Sequence, residues 1–266
     1  MAVMSYYKDK VVWITGASSG IGKELCVQLA QSGSQLILSS RNLETLTKLK
    51  NELSDSERHL VLPLDLEDSS SFESCTQNVI DRYGSIDILI QNGGISQRGT
   101  AMESSKEVTR RIMEVNFFGN VFLTKAVLPH LRKSKGQILV ISSIAGKFGF
   151  FLRSSYSASK HALHGYYESL ALEEEKNEVS VTIACPGKIN TAISENALAA
   201  DGNTHGTMDH NQATGMSVES CVMQLLKGLR CKKREILVGN REIKAVTLRR
   251  FFPKLFWRII RKQSPI

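Results

Sequence analysis

The chain is 266 residues long, 42% hydrophobic and 23% charged, with a net charge of +8. A chain of that length buries roughly 75% of its unfolded surface and needs no disulfide or metal to hold a core, and the composition excludes a disordered, collagen-like or multi-span membrane protein. The excess charge is local: between Arg230 and Ile266 twelve Lys and Arg stand against two Glu, a segment charge of +10 that leaves −2 for residues 1–229. A near-neutral body offers no footprint for nucleic acid. Residues 1–10 lack the apolar stretch of a signal peptide and no run of 18 apolar residues occurs, so no spanning helix is expected. The five cysteines, Cys26, Cys75, Cys185, Cys221 and Cys231, are widely spaced with no C-x-x-C. That pattern suits neither a disulfide framework nor a zinc site and points to a reducing, cytoplasmic setting.

Short β-branched runs alternate along the chain with segments of helical period. Residues 11–15 read as a strand, and 22–31 as a helix with Leu25, Cys26, Leu29 and Ala30 on one face and Gly33 as its terminator. A strand at 36–39 precedes a helix that Asn42 caps, with Leu43, Leu46, Leu49 and Leu53 at three-to-four spacing. A third strand is expected at 59–64, a helix at 70–83, and a near-continuously apolar strand at 86–91. One long helix over 106–131, a strand at 137–142, a helix at 155–176 and a strand at 179–185 follow. This alternation predicts a single Rossmann-type, doubly wound parallel sheet with helices on both faces over residues 1–244. Residues 192–216, polar with scattered Gly and His, read as a loop or lid over a substrate.

The first strand runs into Thr15-Gly16-Ala17-Ser18-Ser19-Gly20-Ile21-Gly22 at the start of a helix. Glycines there allow a tight turn and close backbone approach to a pyrophosphate seated on the helix N-terminus, so Gly16, Ser18, Ser19, Gly20, Ile21 and Gly22 are expected to hold a dinucleotide. An acid at the end of the second strand would hold the ribose 2′-hydroxyl of NAD; the sequence instead has Ser39-Ser40-Arg41-Asn42. Arg41 can grip a 2′-phosphate, which favours NADP(H). Further on, Tyr156 and Lys160 stand at i and i+4, one helical turn apart on the same face. A nearby ammonium lowers a phenol pKa from about 10 towards working pH, as a proton donor needs. Ser143, at the end of the strand at 137–142, would join Tyr156 in donating to an oxygen that gains charge as a carbonyl accepts hydride.

These motifs resemble the short-chain dehydrogenase/reductase family from about residue 9 to residue 191. The match comprises the glycine turn, Asp65-Leu66, Asn92-Gly93-Gly94, Asn116, Ser143, Tyr156 with Lys160, and Pro186-Gly187-x-x-x-Thr191. The resemblance implies Tyr156 as general acid/base, Ser143 as a substrate-carbonyl donor, Lys160 as tuner of Tyr156 and ligand of the nicotinamide ribose, and Asn116 as holder of a water in a proton relay. It further implies that Asp65 and Leu66 contact adenine, that Asn92, Gly93 and Gly94 line the nucleotide, and that Ile189 and Thr191 meet the carboxamide. The family's Asn-Asn-Ala-Gly stands here as Gln91-Asn92-Gly93-Gly94; glycine for alanine widens backbone freedom. Followed by Ile95-Ser96-Gln97-Arg98, it is similar to the dehydrogenase/reductase member 7 subgroup, which implies lipophilic carbonyls such as steroids or retinoids, and membrane association. A homodimer or homotetramer through the helices at 106–131 and 155–176 is implied as well.

His161 and His164 read as surface or packing residues beside the lysine. His205, Asp209 and His210 sit on a loop too irregular to hold a metal, and none is expected. In the tail, 245–266, the apolar Phe251, Phe252, Leu255, Phe256, Ile259 and Ile260 recur in pairs with Arg250, Lys254, Arg258, Arg261 and Lys262 between them. That is an amphipathic helix suited to an anionic membrane surface, or to packing on the enzyme itself, with Pro253 at its first turn. A rival reading of the whole chain is a non-catalytic nucleotide-binding scaffold recruiting membrane or protein partners through the basic tail.

Overall fold

The computed structural model describes residues 3–207 and 214–263. Seven strands form one parallel sheet: β1 (Val11–Thr15), β2 (Gln35–Ser39), β3 (Leu60–Val61), β4 (Ile88–Gln91), β6 (Gln137–Ile141), β7 (Ser180–Pro186) and β9 (Glu235–Val238), in the order β3-β2-β1-β4-β6-β7-β9. Two further short strands, β5 (Gln97–Arg98) and β8 (Leu198–Ala199), pair in parallel apart from it. The helices are α1 (Gly20–Gln31), α2 (Leu43–Glu52), α3 (Phe72–Tyr83), α4 (Lys106–Met113), α5 (Gly119–Ser134), α6 (Ser154–Glu173), α7 (Val218–Arg230), α8 (Lys244–Phe251) and α9 (Pro253–Ile260).

Why both faces of the sheet are covered is visible in β1. All five residues are buried, and alternate ones belong to opposite cores, because successive strand side chains point to opposite faces. Val12 and Ile14 pack with Leu25 and Leu29 of α1 and Leu225 and Leu229 of α7. Val11 and Trp13 pack with Val79 of α3, Leu123 and Val127 of α5 and Tyr167 of α6. The strand order reverses between β1 and β4, and a crevice opens beyond their carboxyl ends, where doubly wound sheets bind ligands.

Three features depart from expectation. The helix at 106–131 is interrupted by one wide turn, Glu114–Phe118, with i→i+5 hydrogen bonding; such a bulge needs no Gly or Pro to mark it. α7 and β9 continue the sheet past β7, beyond the last strand that the sequence pattern predicts. The tail is two helices: the chain turns at Phe252, and Pro253 opens α9, where its missing N–H costs nothing. Phe256 and Ile260 of α9 are buried against Ile144 and Phe148, with the Phe148 and Phe256 ring centroids 4.9 Å apart.

Candidate active site

A cleft of about 590 Å³ runs from the N-terminus of α1 across the ends of β1, β4, β6 and β7. Gly16, Ser18, Ser19, Gly20, Ile21, Arg41, Asp65, Leu66, Asn92, Gly93, Gly94, Ser143, Tyr156, Lys160, Ile189 and Thr191, all singled out from the sequence, line it.

Its floor is built by Thr15 and Asn92. The Thr15 hydroxyl accepts the backbone N–H groups of Asn92 at 3.0 Å and Gly93 at 2.9 Å, and Asn92 Nδ2 donates to the carbonyls of Thr15 (3.0 Å) and Gly16 (3.1 Å). Those bonds lash β4 to the glycine turn. Gly16 and Gly20 have φ of +62° and +52°, a region L side chains enter only at a cost. Ser19 precedes α1 without capping it by its side chain, which leaves first-turn amides facing the cleft as an anion site. At the end of β2 the Ser40 hydroxyl is buried with no partner, next to the exposed Arg41. A buried orphan hydroxyl costs stability unless something bonds it. Together the glycine turn and the uncapped start of α1 fit a dinucleotide phosphate.

At the chemical end, Ser143 Oγ accepts the N–H of Ala145 at 3.1 Å and donates to the Pro186 carbonyl at 3.4 Å. Tyr156 is buried, and burial pushes its phenol above the ordinary value; the Arg153 charge, the nearby Ser143 hydroxyl and the Arg98 charge pull it back. Lys160 Nζ donates to the Ile141 carbonyl at 2.8 Å and lies 5.8 Å from the Tyr156 ring centroid. Burial pushes its pKa down to about 8.

The model of the family "short chain dehydrogenase" matches residues 10–202. The chain is a short-chain dehydrogenase/reductase. It is 36% identical to dehydrogenase/reductase SDR family member 7B of Bos taurus over 99% of this chain and 84% of that one. It is 39% identical to member 7 of Homo sapiens, over 96% of this chain and 78% of that one. Among solved structures, one from Burkholderia phymatum in complex with NAD superposes with a TM-score of 0.82 at 20% identity, covering 94% of this chain and 95% of that one. An alcohol dehydrogenase from Thermococcus sibiricus complexed with 5-hydroxy-NADP gives 0.74 at 24%, covering 88% and 97%. Neighbours in the fold thus carry either nicotinamide cofactor, and the family is one of oxidoreductases.

Within this short-chain dehydrogenase/reductase, Gly22, Asn116 and the pair Tyr156–Lys160 are placed as follows. Gly22 does not line the cleft; a Cβ there would lie 2.1 Å from the Gly16 carbonyl oxygen, so it lets α1 rest on the turn. Asn116, fully buried in the wide turn, does not reach the cleft either. Its Oδ1 accepts the Ile95 N–H at 2.8 Å and its Nδ2 donates to the Ile95 carbonyl at 2.9 Å and to Ser159 Oγ at 3.0 Å, so the side chain clamps the wide turn to Ile95 and to α6. The charges of Arg153 and Arg98 and the Ser143 hydroxyl ease the Tyr156 phenol, while the Lys160 ammonium, 5.8 Å from the Tyr156 ring centroid, donates to the Ile141 carbonyl. Arg153 belongs to no sequence motif, and Arg98 stands only in the stretch similar to the subgroup, with no chemical role attached, so sequence reading passes over both.

Elsewhere, His164, Cys185 and Glu235 bring metal-type donors within 4.8 Å of one another. The Lys147 ammonium, 3.2 Å from His164 Nδ1 and paired with Glu235, is the cation of that group. On the loop, His205 Nε2 bonds Thr207 Oγ1 at 2.7 Å; Asp209 and His210 lie outside the described residues.

Proposed function

We propose that the chain is an NADP(H)-dependent oxidoreductase acting on the carbonyl or alcohol of a lipophilic substrate, of the steroid or retinoid kind. The observation that carries this reading is the convergence of Ser143, Tyr156 and Lys160 on the cleft that begins at the uncapped start of α1. When bound, the nicotinamide supplies or takes the hydride. Tyr156 gives a proton to the substrate oxygen during reduction and takes it back during oxidation. Ser143, which lines the cleft with Tyr156, donates to the same oxygen and stabilises its developing charge. Lys160, with a pKa about 8, changes charge near neutral pH and suits a proton reservoir behind the phenol. Preference for NADP(H) over NAD(H) draws support from Arg41 and the orphan Ser40 hydroxyl. Apolar lining by Ile95, Val115, Ile193 and Leu198 supports a lipophilic substrate.

Two assemblies follow from exposed apolar surface. Phe118 and Phe122, stacked at 6.0 Å and facing outward on the wide turn and α5, support a homodimer or homotetramer. On the tail, Phe251, Phe252, Leu255, Trp257 and Ile259 are exposed among Arg250, Lys254, Arg258 and Arg261, which supports peripheral binding to an anionic membrane from the cytoplasmic side. No helix among the described residues is long and apolar enough to cross a membrane. The deciding experiment is turnover of NADPH and NADH with a panel of steroid, retinoid and aliphatic carbonyls. Reduction with NADPH preferred supports the reading; nucleotide binding without turnover returns the protein to the scaffold alternative.

A further inference from the structure

We infer that Gln97 is a positioning residue for the reaction: from β5 it caps the N-terminus of α6 and so fixes the height of Tyr156 in the cleft. α6 begins without a local cap, since Arg153 in the capping position makes no side-chain capping bond. The first amides of a helix need an acceptor, and an N-cap side chain normally serves the second and third helical residues. Here those are Ser155 and Tyr156, and the acceptor for both is Gln97 Oε1, at 2.9 Å and 3.4 Å. The cap thus comes from 58 residues upstream and touches the backbone of the proton donor itself.

Gln97 is held for this task. It is fully buried, and its Nε2 donates to Ser104 Oγ, which orients the amide with its oxygen toward α6. Its strand pairs with β8, Gln97 opposite Leu198, and the Leu198 N–H donates to the Ser96 carbonyl at 2.9 Å. On the other side the Gly99 N–H donates to the Leu152 carbonyl at 3.1 Å, just before α6. β5 therefore joins the start of the catalytic helix to the segment carrying Asn196, Leu198 and Thr204, which line the cleft.

The inference rests on the oxidoreductase reading for its kinetic arm only. The test uses the full chain with Gln97→Ala, Gln97→Asn and Gln97→Glu. Ala removes the acceptor, Asn withdraws it by one methylene, and Glu keeps an oxygen in place. In Ala and Asn, kcat should fall about 10- to 100-fold with KM and NADPH affinity little changed, the signature of a misplaced reacting group. Amide hydrogen exchange across residues 153–160 should quicken in the same two variants, and Glu should restore both slow exchange and turnover. Unchanged kcat and exchange in Gln97→Ala overturns the inference. So does a Glu variant that is as impaired as Ala, because the residue then matters for packing and not as a cap. If the wild-type chain reduces no carbonyl, the function proposed above fails while the exchange measurement still decides on the cap.

Discussion

Gly93 and Leu66 face each other in the wall of the cleft so closely that a Cβ on Gly93 would lie 2.6 Å from Leu66 Cδ1. The alanine that the family pattern has at this place would collide with a leucine that belongs to the core, so the departure is matched to its neighbour. Gly93→Ala should destabilise by about 1–3 kcal/mol, as overpacking does, and at the low end because a side-chain methyl can move. Adding Leu66→Val should recover the loss. Gly119→Ala should be worse than either, since its Cβ would meet the Leu66 carbonyl oxygen at 2.2 Å and backbone cannot yield. Denaturation midpoints of these variants decide; a Gly93→Ala protein as stable as wild type refutes the matched pair.

Removing the proton of Tyr156 while keeping its ring isolates acid catalysis. Tyr156→Phe should retain NADPH binding and lose about 10²–10⁴-fold in turnover. Rates within a few-fold of wild type would dispose of the assigned role.

The 2′-phosphate reading makes Ser40 and Arg41 behave differently without and with ligand. Ser40→Ala removes a buried hydroxyl that has no partner, so the free protein should melt no lower than wild type. Arg41→Ala should weaken NADPH by about 10- to 150-fold, the loss of a charge-assisted contact of about 1.5–3 kcal/mol, and leave NADH nearly unchanged. Fluorescence titration of both nucleotides checks this, and a wild-type preference for NADH would contradict it.

Lys160 gives a pH signature in stability. Its folded pKa is about 8 against 10.5 unperturbed, so between those values the unfolded chain binds more protons than the folded one. Stability from this group therefore rises with pH across that window and is flat below it. Burial also raises the thiols of Cys26, Cys185 and Cys221, and they oppose the trend above about pH 9, where an unfolded thiol ionises. The difference between wild type and Lys160→Met cancels them, and should grow in favour of wild type from pH 8 to 10. A difference that is constant with pH would show that the ammonium is not desolvated.

One helix of the tail should answer two questions. Phe256 is buried on Phe148, so Phe256→Ala should cost about 3–5 kcal/mol. Trp257 and Ile259 are exposed, so Trp257→Ser with Ile259→Ser should leave the melting temperature alone and abolish sedimentation with anionic liposomes. Binding in wild type should weaken with added salt. If wild type does not sediment, the outward face has another use.

The sheet was legible because β1, β4 and β6 are short, apolar and bracketed by turn residues, and the cleft because its glycines and Tyr156-x-x-x-Lys160 carry motif spacing. Chain ends of the pattern were harder. β3 is ordered as two residues, Leu60 and Val61, although the apolar run extends from 59 to 64: the Leu62 and Leu64 N–H groups still donate to the Leu38 and Ser40 carbonyls, but Pro63 between them has no N–H to give the ladder. α7 has the period that could have revealed it, with Cys221, Val222, Leu225, Leu226 and Leu229 buried behind a Ser217 cap. The roles of Gln97, Arg98 and Arg153 had no such signal. Their importance arises from a two-residue strand and from distance in space, neither of which periodicity records.

The carbonyl that receives Lys160 belongs to Ile141, the last residue of β6, whose ladder runs between β4 and β7. A long cationic side chain loses about 1.5–2 kcal/mol of rotamer entropy when it is fixed. Here that ordering has already occurred in folding, against a backbone held by neighbours on both sides. Whatever the ammonium meets in the cleft, it meets without a further loss of freedom, so the favourable part of that encounter reaches the affinity undiminished.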